Sequence, residues 1–193
     1  IKLWELGSAA LSGFDLRRHA EGVMDALMDA TGESVHLSVL DQKEVVYVHK
    51  VESLNPVRAY SQIGGRAAAH CVATGKAMIA FRTQQWLAAM SQELTAYTPH
   101  TIVDPAAFTA EMAQIRKRGY AVNRCEWREA VSGVAAPIRD GMGHVIAAIG
   151  VSGPDARFKP RQLREFSERV LLAARELSEG LSGGPHHGLS HVT

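Results

Sequence analysis

At 193 residues, 46% of them hydrophobic, the chain has the material for one domain with a sizeable core. A net charge of +1 and the lack of any long run of like charges exclude a chain that holds nucleic acid by its own basic surface. Two cysteines, Cys71 and Cys125, exclude a disulfide framework and fit a reducing cytoplasm, and no apolar run nears the ~20 residues a membrane helix needs.

The chain opens on Ile1 rather than Met, as a piece of a longer protein would. Residues 2–12 read as a short helix with Leu3, Trp4, Leu6, Ala10 and Leu11 as its apolar set. A second helix is expected from Leu16 to Thr31, with Asp15 at its N-cap and Gly32 just past its end. Its buried stripe is Leu16, Ala20, Val23, Leu27 and Ala30, widened by Met24 and Met28. From Glu33 to Leu40 the pattern alternates: Val35, Leu37 and Val39 lie on one face, Ser34, His36 and Ser38 on the other. The turn Asp41-Gln42-Lys43-Glu44 joins that strand to a second over Val45–Val51, and Asn55-Pro56 then breaks the chain. A third strand is expected over Val57–Ile63.

The stretch 64–82 combines a glycine pair, a run of small residues and a helix opening at Thr74-Gly75-Lys76. It reads either as a loop packed closely on a sheet or as a site where a helix end meets an anion. Another helix is expected over 83–92. Asp104-Pro105 starts the next, with Phe108, Met112 and Ile115 facing inward and Gly119 ending it. A fourth strand begins at Tyr120, and residues 123–130 form a polar connection. Strands over Ser132–Ile138 and His144–Ser152 flank the turn Asp140-Gly141-Met142-Gly143. The last helix, from Pro160 to Leu181, carries the stripe Leu163, Phe166, Val170, Ala174, Leu177 and Leu181. Beyond Ser182 the composition is that of a disordered tail. Strands in a meander with helices packed against them make an α+β domain.

On the final strand, Ile146, Ala148, Gly150 and Ser152 share one face. Small side chains there leave a volume for either a covering helix or a small ligand. Chemistry of other kinds finds little support. His70 and Cys71 are adjacent and point apart, and no nucleophile–base pattern stands out. His70, Cys71, Cys125 and His144 lack metal-ligand spacing, and His186, His187 and His191 belong to the tail. No catalytic residue, metal or cofactor is therefore expected.

Several segments carry a resemblance. They are Leu3-Trp4-Glu5-Leu6-Gly7, Gly32-Glu33-Ser34-Val35-His36-Leu37, Ile63-Gly64-Gly65-Arg66, His70, and Thr74-Gly75-Lys76-Ala77. Arg118-Gly119-Tyr120-Ala121, Val134-Ala135-Ala136-Pro137-Ile138-Arg139-Asp140 and Ser152-Gly153-Pro154 continue it. In this order and spacing, from residue 1 to about 181, the chain resembles the effector-binding domain of IclR-type transcriptional regulators. The resemblance implies a GAF-like fold with an antiparallel sheet of about six strands, helices packed against it and a ligand pocket on one side. It implies that residues 1–14 end an inter-domain linker helix, that 15–181 bind the effector and that 182–193 are tail. A winged-helix DNA-binding domain would precede residue 1, so DNA would be reached through that domain only. Partners implied are a small organic acid and a second copy of the chain, as homodimer or homotetramer, in the cytoplasm and not at a membrane.

By matched position the ligand contacts are Gly65, Arg66, Asn123, Gly133, Gly150 and Ser152, with Ala67 and His70 in the same loop and Arg124 and Trp127 beside Asn123. The sequence departs from the family at four of the positions around the pocket. Asn123 stands where Asp is usual, Gly133 where Cys is frequent, Arg124 and Cys125 where acidic residues occur. Ala68 also replaces a usual proline. Fewer negative charges favour an anionic ligand, with an aromatic carboxylate the best guess, gripped by Arg124 or Arg128 unless both lie in solvent. Trp127 either walls the pocket or packs in the core. A dimerisation module without ligand, and a small-molecule enzyme using Cys71 or Cys125, are the alternatives.

Overall fold

The structure, a computed structural model, describes residues 2–182 and the side chains of residues 16–181. A single helix, α1, spans Lys2–Thr31, where two helices were expected. No proline interrupts residues 12–16, and Gly13 costs a helix interior only about 1 kcal/mol, so nothing stops the helix at Asp15. Gly32 follows in the left-handed region at φ 70° and bonds back to Met28 O at 2.7 Å. Leu16, Ala20, Met24 and Leu27 are buried, but Ala30 is exposed and does not join the stripe. The apolar set at 3–11 and the tail beyond Ser182 lie outside the described side chains and residues.

Strands β1 (Ser34–Asp41) and β2 (Glu44–Val51) form the expected hairpin. The stretch 57–63 is not a strand. Val57, Tyr60 and Ile63 are 67%, 72% and 46% exposed, so the segment has no apolar face to bury against a layer. The next strand is instead β3, Arg66–Ala68, which pairs with Glu44–Val46 of β2. Two short helices follow, α2 (Ala73–Ile79) and α3 (Gln84–Ser91). Helix α4, Pro105–Arg118, has its Asp104 cap on Ala107 N at 2.7 Å and ends at Gly119. Strands β4 (Ala121–Arg124), β5 (Val131–Arg139) and β6 (Val145–Pro154) precede the long helix α5, Pro160–Ser182.

All pairings are antiparallel, in the order β3-β2-β1-β6-β5-β4. The sheet is covered on both faces. Val35, Leu37, Val134, Ile138, Ile149 and Val151 pack against α1 and α5, where Phe166, Val170 and Leu177 point inward. Each such fully buried aliphatic side chain contributes roughly 1.5–3 kcal/mol. On the opposite face Ala121, Ala135 and Ala148 meet α2 and α4 through Ala77, Phe108, Met112 and Ile115. Alanine on the strands lets these short helices sit close. Gly75 brings α2 closer still, because a Cβ there would lie 2.3 Å from Ala69 O. Both sheet edges are short: β3 has three residues, and β4 reaches only Ala135 of β5. No helix among the described residues is long and apolar enough to cross a membrane.

Candidate functional site

On the face covered by α2 and α4, the helices leave part of the sheet uncovered. Gly133 and Ser152 are paired neighbours there, as are Ala135 and Gly150. A Cβ at Gly150 would lie 2.6 Å from both Ala135 Cβ and Val134 O, so only glycine keeps this floor low. The result is a cavity of about 300 Å³. The sheet is its floor, the start of α2 (Val72, Ala73 and Thr74) one wall, and the loop 58–65 another. Trp127 and Arg128 close it from the turn after β4.

Seven of the residues expected from sequence line this cavity: Gly65, Arg66, Asn123, Trp127, Gly133, Gly150 and Ser152. Three do not. Ala67 is turned to the opposite side of β3, into the core beneath α2. His70 is buried against Thr95 O at 3.0 Å, with its ring beside Tyr97, and burial lowers its pKa. Arg124 is exposed at the end of β4, outside the lining. Arg66 borders the cavity, but its guanidinium is taken by Asp41 at 2.6 Å and Glu44 at 2.7 Å. Trp127 does two things: it walls the cavity and packs on Tyr97, ring centroids 4.4 Å apart.

Sequence reasoning missed the centre of the floor. His36, on the polar face of β1, is 5% exposed. Its Nε2 is 2.6 Å from Ser61 Oγ and its Nδ1 is 3.4 Å from Ser152 Oγ. Burial, then the charge of Lys50, pulls its pKa down to about 4, so the ring is neutral. A neutral imidazole has one N–H and one lone pair, so one serine donates to the ring and the other receives from it. Tyr47 lies 5.2 Å away, centroid to centroid, and burial pushes its phenol up to about 12. The sequence signals for His36 were its place on the polar side of an alternating strand and its position in the matched segment Gly32–Leu37, and neither pointed to the cavity.

The lining contains three arginines and no carboxylate. Arg58 is paired with Glu52 at 3.1 Å and Arg66 as above. Arg128 makes no ion pair or side-chain hydrogen bond among the described residues. Behind the wall lies a buried pair: Lys76 Nζ donates to Glu126 at 2.7 and 3.0 Å, and the two side chains are 1% and 5% exposed. Burial raises the Glu126 carboxyl and Lys76 pulls it back. Cys71, one of the two candidate cysteines of the enzyme reading, has its thiol pushed up to about 12 by burial and by Glu126, which leaves it unreactive at neutral pH. No group of three or more metal-ligating side chains occurs among the described residues.

Residues 8–179 match the family described as Bacterial transcriptional regulator IclR C-terminal. This chain belongs to the IclR family. It is 35% identical over 180 residues to the HTH-type transcriptional regulator KdgR of Escherichia coli, covering 92% of this chain and 68% of that protein. With BhcR of Paracoccus denitrificans it shares 36% over 178 residues, 91% of this chain and 64% of BhcR. This IclR-type chain thus spans about two thirds of the length of these relatives. Its fold matches the crystal structure of the Thermotoga maritima IclR with a TM-score of 0.83 and 34% identity, covering 93% of this chain and 74% of that one. It also matches the C-terminal domain of E. coli KdgR, with a TM-score of 0.77 and 31% identity over 86% of this chain and 98% of that one. These IclR relatives are transcriptional regulators, not enzymes. The chain is accordingly the C-terminal, effector-binding domain of such a regulator.

Proposed function

We propose that the cavity above Gly150 binds a small organic acid, with an aromatic carboxylate as the best fit. In the full-length regulator, binding changes the DNA affinity of an N-terminal winged-helix domain, and the protein works as a homodimer or tetramer. The carrying observation is the lining's charge: three arginines, no carboxylate, and Arg128 without a counter-ion among the described residues. An anion entering such a site gains a charge-assisted bond and meets no like charge. The volume lies at the small end of the roughly 300–1,000 Å³ range of ligand pockets, and the rings of Tyr47 and Trp127 offer flat apolar walls. An effect on DNA requires that the acid bind two arrangements of the protein unequally.

A thermal-shift screen against mono- and dicarboxylates, half of them aromatic, tests this reading. An acid at about a hundred times its Kd stabilises by about 2.7 kcal/mol, which is roughly 5 to 10 °C for a domain of this size. Arg128→Gln should weaken the best acid about tenfold. A flat screen, or equal affinity in the variant, counts against the proposal. A monomer at every concentration in sedimentation would remove the dimer from it.

A further inference from the structure

A second groove lies where β4 no longer covers β5. It runs between the end of α4, β5 beyond Ala135 and α5, encloses about 780 Å³ and shares no residue with the cavity above Gly150. Four arginines line it: Arg116 and Arg118 from α4, Arg139 from β5 and Arg175 from α5. They face a single carboxylate, Glu168.

These guanidinium groups are mostly held in place without being neutralised. Arg116 donates to the carbonyls of Ala80 and Arg82, the second at 3.0 Å. Arg139 donates to Gly143 O at 2.8 Å and lies over the Phe81 ring, 4.3 Å from its centroid. Arg175 makes no side-chain hydrogen bond or ion pair among the described residues. Of the four, only Arg118 meets a carboxylate among the described residues, Glu111 at 2.9 Å, and Lys76 shares that carboxylate at 3.5 Å. Elsewhere acids cancel the arginines: Glu52 meets Arg58, Asp41 and Glu44 meet Arg66, and Glu33 meets Arg157. A carbonyl fixes the direction of a guanidinium but leaves its charge, and most of its five N–H donors stay available. The negative end of the α4 dipole accounts for basic residues in that helix's last turn. It does not account for Arg139 and Arg175, which come from other elements.

We propose that this groove is a second binding site and that it takes a phosphorylated small molecule. A phosphate monoester carries roughly −1.5 to −2 charges near pH 7 and three acceptor oxygens, whereas a carboxylate has one charge and two oxygens. Arginines from three elements can therefore share it, each through its fork of donors. A phosphate fills only part of the groove. The rest, bordered by Pro137 and the exposed Leu172, has room for an uncharged body. The proposal does not rest on the reading of the cavity above Gly150, and either can fail alone.

Calorimetry on the purified chain, in phosphate-free buffer at fixed ionic strength, tests it. The probes are glucose 6-phosphate and glycerol 3-phosphate, with glucose and glycerol as their uncharged counterparts and inorganic phosphate as the bare ion. At least one phosphorylated probe should bind saturably and more tightly than inorganic phosphate, and neither glucose nor glycerol should bind. Arg175→Gln should weaken that probe about tenfold, and Arg139→Gln likewise. Arg161→Gln removes the same charge from the same helix roughly 21 Å away along its axis, and should change affinity less than about twofold. Melting curves establish that each variant is folded. Arg175 is exposed and without a partner among the described residues, so its variant decides if the Arg139 variant does not fold. No saturable binding of either phosphorylated probe at millimolar concentration overturns the proposal, as does unchanged affinity in Arg175→Gln. An equal loss in Arg161→Gln would reduce the effect to general surface charge and overturn it too. Inorganic phosphate bound as tightly as the better organic probe overturns the assignment to a phosphorylated molecule.

Discussion

His36 reaches two serines that are 25 and 116 positions away in sequence, one on the loop wall and one on the floor of the cavity. That distance is why the floor was not legible in the sequence: alternation gives a side chain's face but not which other segment lies across from it. Gly150 and Ser152 were legible, because both lie on one strand and period two is enough to place them on a common face. The neutral ring also ties stability to pH. Its folded pKa, about 4, lies below the ordinary 6.5, so between those values the unfolded chain binds the extra proton. Stability from this group is fully present above pH 6.5 and is lost as pH falls towards 4, by about 3 kcal/mol in all. In urea titrations at stepped pH, His36→Gln should flatten that part of the curve. A variant that loses stability as steeply as the parent would show that other groups carry the dependence.

At the scale of elements, α2 is joined to the turn after β4 by Lys76 and Glu126, not by apolar contact alone. A buried ion pair is weak evidence for net stability, but breaking it is costly because one charge stays behind. Lys76→Met should therefore cost about 3–5 kcal/mol, and the double change Lys76→Met with Glu126→Leu should recover most of it. Equal losses in the single and double variants, measured by denaturant unfolding, would sink this account. Helix α4 was legible to its ends, because Asp104, Pro105 and Gly119 mark them chemically. The helix boundary near Asp15 was not, since a residue that caps well is also tolerated inside a helix that packing sustains. Nor was the loop 57–63. Its apolar side chains mimic a strand, and it takes the folded chain, where they lie exposed and Arg66–Ala68 pairs with β2 instead, to decide against one.

For the whole molecule, one sheet face is filled by two long helices and the other is shared between short helices and a cavity. The roof of that cavity is held by polar ties. Lys50 donates to Ser61 O at 2.6 Å, Arg157 to Val57 O at 3.0 Å, and Ser61 meets His36. Such a loop opens at less cost than the apolar layer opposite, and Arg58 within it is 42% exposed at its side chain. Trypsin should cut there first, and an acid bound beneath should slow the cut, because it binds the closed form. An unchanged rate at saturating acid would place the ligand elsewhere. The sheet's edges have a consequence of another kind. One ends in a strand of three residues. The other leaves β5 open beyond Ala135, where Pro137 has no N–H to offer and Arg139 N is already spent on Ser178 Oγ at 2.9 Å. At both of these places a stray extended chain finds little to pair with, so growth of the sheet by edge pairing is disfavoured there.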